Sequence, residues 1–223
     1  MGILFLLLIL EKEEKVENRI LEGIFERQRK NRLIKEIFRK TIHICSSFVP
    51  FFLKIAYWPI IGLLIFAVLF YSVCEFLHCK GYTIPVISKI TEVASRKRDE
   101  NRFVLGPVTL VIGILITALT LPLDFAKVGI FALSFGDGFA SLVGKAIGKR
   151  MIPGTHGKTI EGSLACFIAV FISTLCCSKN VFLSLIIAFC AMMIEVLPLK
   201  DFDNVLIPVA IGWIYRFLVL VFS

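Results

Sequence analysis

Long apolar runs alternate with short polar ones along most of this chain, and the alternation predicts helices that cross a membrane. Runs at about 42–54, 55–77, 103–121, 126–143, 163–178, 181–199 and 205–222 are each interrupted by few charges. Most approach the ~20 residues that a helix needs to span a hydrocarbon core. The first is short, and its separation from the second near Lys54–Pro59 is the least defined. Ahead of them, Glu11–Lys40 carries ten basic and seven acidic residues. Within it Val16, Ile20 and Ile24, then Ile34, Ile37 and Phe38, recur at helical spacing. That pattern predicts an amphipathic helix lying on the membrane surface. Met1–Leu10 is apolar but, at ~1.5 Å per residue, spans only half a bilayer core. It has neither a basic leading region nor a small-residue cleavage site, so it reads poorly as a signal peptide. The fold expected is all-α: a polytopic transmembrane bundle of about seven spans after an N-terminal amphipathic helix. Its parts are residues 1–41 and a membrane domain at 42–223.

Composition agrees with that class. The chain is 57% hydrophobic with a mean hydropathy of +0.86, beyond the usual soluble range. The net charge of +8 does not point to nucleic acid, because the basic residues follow the loops. With Glu11–Lys40 on the cytoplasmic side, 21 of the 25 Lys and Arg fall inside and three outside, with Arg216 in the last span. Such a bias sets orientation. The seven cysteines form no CxxC pair and read as small hydrophobes rather than metal or disulfide sites.

Orientation brings the polar residues together. Arg39, Lys40, His43, Glu75, Lys145, Lys149, Lys158, Glu161, Glu195, Asp203 and Asn204 all fall at the inner face, on different span ends and loops. The densest stretch is Ser134–Gly162. In it, Gly136, Ala140 and Gly144 form a small-xxx-small ladder suited to close helix packing. That ladder does not account for Asp137, since an ionisable group inside a span costs at least ~2.5 kcal/mol on insertion scales and marks function. Lys145, Lys149, Arg150 and Lys158 follow, interleaved with glycines, a composition that suits phosphate. Ordinary positive-inside charge accounts for Arg150 better than for Lys158. Gly157-Lys158-Thr159 is not a P-loop, because Ile152 stands where the first glycine belongs and no strand precedes it. Glu195 and Asp203 supply further carboxylates, and Asp203 and Asn204 are also placed to cap the last span. Carboxylates beside lysines suit a divalent cation such as Mg²⁺ bridging to phosphates.

Three blocks are familiar together. They are Gly136-Asp137-Gly138-Phe139-Ala140-Ser141-x-x-Gly144-Lys145-x-x-Gly148-Lys149, then Gly157-Lys158-Thr159-x-Glu161-Gly162-Ser163, then Asp203-Asn204-x-x-Ile207-Pro208. Over about residues 36–222 the chain resembles the CTP-dependent membrane lipid kinases: dolichol, phytol and CTP-dependent diacylglycerol kinases. Arg39-Lys40-x-x-His43 and Glu75 look like that family's upstream polar positions. The resemblance implies CTP as phosphate donor and a membrane lipid alcohol as acceptor. Within that reading Asp137, Lys158 and Glu161 are the candidate catalytic residues: Lys158 holds phosphate, and Asp137 and Glu161 bind the metal or one of them accepts the hydroxyl proton. Lys145, Lys149, Thr159, Arg39, Lys40, His43 and Asn204 would hold the nucleotide, and Asp137, Glu161, Glu195 and Asp203 the metal. The alternatives are a phosphatidate cytidylyltransferase, whose related block ends in a His- and Asp-rich signature absent here, and a membrane transporter. Against a transporter stands the clustering of polar residues on one side, with no inverted repeat.

Overall fold

A computed structural model describes residues 2–82, 103–155 and 157–222. It divides into two compact units, Met1–Lys35 and Glu36–Ser223. The helices are α1 (Gly2–Cys45), α2 (Val49–Ile55), α3 (Tyr57–Cys79), α4 (Gly106–Thr120), α5 (Leu123–Ile147), α6 (Ile160–Ser178), α7 (Val181–Val196) and α8 (Asp203–Phe222). The protein is an all-α, membrane-like bundle, with no strand among the described residues beyond the isolated bridge Met151–Thr159. Helices α3, α5, α6 and α8 are long and apolar enough to cross a membrane, and α4 and α7 are shorter apolar helices. The expected basic loop at 78–102 lies, from residue 83 on, outside the described residues.

The expected first span at 42–54 is not one helix. Pro50 has no N–H and its ring would collide with the carbonyl four residues back, at Ser46. So α1 ends at Cys45, Ser46–Phe48 form a 3₁₀ turn, and α2 restarts with Pro50 in its first turn. The Ser46 hydroxyl donates to the His43 carbonyl at 2.6 Å and takes up an acceptor that the break would leave open.

Small residues bring the remaining helices together, as suits association in lipid, where burial against water offers no drive between helices. A Cβ at Gly136 would sit 2.8 Å from Val170, and one at Gly162 2.7 Å from the Ala140 carbonyl, so α5 and α6 cross nearly backbone to backbone. The Gly136, Ala140, Gly144 ladder is thus a packing device. A Cβ at Gly129 would run into the Pro208 carbonyl and one at Gly113 into that of Asn204, which seats α8 on α5 and α4. Around these crossings Ile114, Val128, Leu133, Val170, Ile187, Ile207 and Ile211 form the core. Large apolar side chains such as Phe66, Phe70, Leu164 and Phe217 point outward, as lipid-facing positions do. Cys74 and Cys166 are buried as expected, but Cys45, Cys79 and Cys176 are on the surface, and none of the seven is bridged.

Between α5 and α6 the chain makes a small antiparallel turn rather than an open loop over 144–162. The Ile152 N–H donates to the Lys158 carbonyl at 2.9 Å and the Ile160 N–H to that of Arg150 at 3.0 Å. Gly154 and Gly157 take φ of 78° and 86°, a region other L-residues enter only at a cost, and so allow the chain to reverse within this short span.

Candidate functional site

The site begins with an irregularity in α5. Ala132–Asp137 is π-helical, a wide turn that occurs mostly as a local bulge at functional positions. It ends on Asp137, and Gly138 follows it. A Cβ at Gly138 would lie 3.1 Å from Ile44, so the glycine lets α1 lie against α5. Ser46 and Ser134 tie the two elements together, hydroxyl to hydroxyl, at 2.7 Å.

That contact brings the polar face of α1 inward. Glu36, Lys40 and His43, spaced as one helix face, are 2%, 2% and 4% exposed, whereas Ile37 and Phe38 are 47% and 41% exposed. Here the charges face protein, and the apolar side expected to meet the membrane faces outward. Lys40 is ion-paired with Asp137 Oδ2, and His43 Nδ1 lies 3.2 Å from the same oxygen. Among the described residues none donates to Asp137 Oδ1, and Asp137 lines the cavity. Both partners thus meet one oxygen of a carboxylate whose residue lines the cavity.

The cavity is about 440 Å³ and its wall carries Arg39, Lys145, Lys158 and Lys200 against Glu36, Asp137, Glu195 and Asp203. Its α5 side runs from Asp137 to Lys145, about 12 Å along the helix. Most of these charges are already engaged. Glu36 meets Arg39 Nη2 at 2.5 Å and pairs with Lys145. Lys158 Nζ lies 3.1 Å from Glu195 Oε1, and the Ser163 hydroxyl donates to Glu195 Oε2 at 3.3 Å. Lys158 is delivered by the turn before α6. Thr159 caps that helix, its hydroxyl accepting from the Gly162 N–H at 3.2 Å. The glycines at 144, 148 and 162 leave room for this hydroxyl, since a Cβ on any of them would crowd it.

The structure thus brings Arg39, Lys145, Lys158, Thr159, Asp137, Glu195 and Asp203 to one cavity, with Lys40 and His43 directly behind Asp137. It does not bring Lys149, Glu161 or Asn204 to that wall. Lys149 follows the end of α5 and is exposed. The Glu161 carboxylate accepts from the Arg150 N–H at 3.4 Å and clasps the turn. Asn204 reaches α4 instead, donating to the Gly106 carbonyl at 3.3 Å and to Thr109 Oγ1 at 2.9 Å. Glu75 is fully buried at the end of α3 and accepts from the Val104 N–H at 3.2 Å, also away from the cavity wall. Sequence reasoning missed Glu36, Ser163 and Lys200. Glu36 was legible in principle, being one turn ahead of Lys40 and two ahead of His43.

The four expected metal ligands do not converge. Among the described residues no three His, Cys, Asp or Glu side chains gather to hold a metal, because Glu161 is spent on the turn and the others stand on separate walls. The donor set still fits Mg²⁺ arriving with a polyphosphate, since that ion needs one or two carboxylates and takes its other oxygens from phosphate and water.

Known proteins resemble this chain over most of its length. An uncharacterized protein of Methanocaldococcus jannaschii is 28% identical over 187 residues, covering 81% of this chain and 93% of that protein. A probable chloroplastic phytol kinase of Triticum aestivum is 32% identical over 211 residues, covering 83% of this chain and 69% of that protein. The chain belongs to the phytol and dolichol kinase family of membrane lipid kinases. The family's dolichol kinase from Schizosaccharomyces pombe is 26% identical over 200 residues, covering 80% of this chain but 38% of that longer protein. No family model and no solved structure matches the chain.

Proposed function

We propose that this lipid kinase moves the terminal phosphate of CTP onto the hydroxyl of a membrane isoprenoid alcohol, phytol or a polyprenol. The observation that carries the reading is Asp137, held by Lys40 and His43, in the wall of a cavity that Arg39, Lys145, Lys158 and Lys200 also line. The class of alcohol follows the names of the relatives. CTP follows the resemblance of the Gly136–Ser163 block, and the cytoplasmic placement of the cavity follows the charge bias of the sequence.

Phosphoryl transfer asks chiefly for positioning and for neutralisation of charge on the phosphate oxygens. In this reading Arg39, Lys145, Lys158 and Lys200 hold the phosphate chain. The first turn of α6 contributes little backbone, because the N–H groups of Ile160, Gly162 and Ser163 are already bonded to Arg150 and Thr159. Glu195, with Glu36 or Asp203, would hold Mg²⁺, which when bound neutralises phosphate oxygens. The lipid reaches the cavity between helices, its hydroxyl directed at Asp137 Oδ1. The hydroxyl oxygen forms the new bond to phosphorus, the bond to the departing CDP breaks, and the hydroxyl proton passes to Oδ1. Lys40 and His43 hold that carboxylate in place.

The test uses the full chain purified in detergent with γ-labelled CTP, Mg²⁺ and a mixture of phytol, a polyprenol and diacylglycerol. Label in an organic-phase phytyl or polyprenyl phosphate is the expected result. Label in phosphatidate alone would move the acceptor to diacylglycerol. Consumption of CTP only when phosphatidate is supplied, with pyrophosphate released, would replace the kinase with a cytidylyltransferase. No turnover of any kind by folded protein would return the cavity to a transport role.

A further inference from the structure

We infer that Glu36 and Glu195 are resident counter-ions: they occupy the cavity's phosphate-binding cations while it is empty, and make polyphosphate binding conditional on a divalent cation. This rests on the phosphate reading given above. Both carboxylates are buried, at 2% and 5% exposure, and each pairs with a cation brought from a different element. Glu36 on α1 pairs with Lys145 on α5 as well as with Arg39. Glu195 on α7 pairs with Lys158 from the turn before α6. All five residues line the same cavity.

A phosphate chain that engages Lys145, Arg39 and Lys158 must share or take these cations from the two glutamates. Each glutamate is then a buried negative charge beside another negative charge, an arrangement that disfavours both. With Asp137 already matched by Lys40, the wall's four basic side chains face the three acidic ones Glu36, Glu195 and Asp203, a surplus of one charge that falls short of a chain of phosphates. Positive charge has to arrive with the phosphates, and the two freed carboxylates are the oxygen donors that a small divalent cation uses together with phosphate oxygens. Asp137 differs. Its partners Lys40 and His43 stand behind the cavity wall rather than on it, so an incoming phosphate has no access to them and Asp137 keeps its clamp throughout.

Calorimetric titration of the detergent-solubilised full chain with inorganic tripolyphosphate, in chelator or in excess Mg²⁺, tests this. Wild type should bind on the order of tenfold more tightly with Mg²⁺, and Glu36→Gln or Glu195→Gln should bind metal-free tripolyphosphate on the order of tenfold more tightly than wild type while losing most of the Mg²⁺ effect. The two substitutions lie on separate helices, so a folding defect in one leaves the other as the test, with melting curves as the control. Metal-free binding in the variants no tighter than in wild type, or an unchanged Mg²⁺ effect, overturns the inference. Wild type that binds equally with and without Mg²⁺ overturns it with no variant needed. Failure of every protein to bind tripolyphosphate under either condition removes the phosphate reading itself.

Discussion

Asp124 and Asp137 lie on the same helix, and each faces a lysine. Asp124 opens α5, where the helix dipole favours a carboxylate. It meets Lys127 one turn on, at 3.0 Å, with its side chain 87% exposed. Asp137 lies deep in the bundle with its side chain 5% exposed, and its lysine comes from α1. The first pair is local, screened and nearly dispensable, as surface ion pairs are. The second joins two helices, and removal of either partner strands a charge in a medium that cannot solvate it. The same two residue types form a screened surface pair at one end of α5 and a buried interhelical pair at the other, and burial with sequence-distant partners makes the difference.

The contrast can be broken from its stronger side. Asp137→Asn should lower lipid phosphorylation by about a thousandfold or more, the scale expected when a group central to charge development is lost, while the protein still inserts; normal turnover in the labelled-CTP assay would remove Asp137 from the site. Lys40→Met leaves Asp137 buried without its main partner. It should destabilise the fold by about 3–5 kcal/mol, read as a lowered melting temperature in detergent, and should depress turnover with it. A smaller loss, about 1–3 kcal/mol, is expected for Gly162→Ala, whose Cβ would press on the Ala140 carbonyl 2.7 Å away; an unchanged melt would show that α5 and α6 can separate freely. Asp124→Asn should leave both melting and turnover at wild-type levels. A clear loss in either would mean that the exposed pair is more than local and that the two ends of α5 are not so different.

Much of the site was legible because its motif is local. Asp137, Lys145 and Lys158 stood out by type and spacing, and all three reach the cavity. Glu161 and Asn204 stood out on the same grounds but do not reach it. One side chain closes the turn onto Arg150 and the other ties α8 to Gly106 and Thr109, roles fixed by what folds next to them. Glu36 was hidden for the opposite reason. It sat in a charged helix whose polar face normally meets water, and only contact with α5 turns that face inward. The 3₁₀ break ahead of Pro50 follows from a rule of backbone chemistry, yet the apolar run at 42–54 obscured it, because hydropathy reports burial in lipid and not continuity of a helix.

By itself the sequence determined which segments are apolar enough for lipid, where one close helix crossing falls, and which stretch carries the charge. Each of these is a property of a residue and its near neighbours: hydropathy per span, small side chains one turn apart, an acid inside an apolar run. Only the tertiary structure decided which cation meets which carboxylate. Lys40 with Asp137, Lys145 with Glu36 and Lys158 with Glu195 are pairs between elements far apart in the chain. Charge attraction names no particular partner; the wide turn in α5, the glycines at its crossings and the inward face of α1 choose among them by bringing some within reach and holding the rest apart.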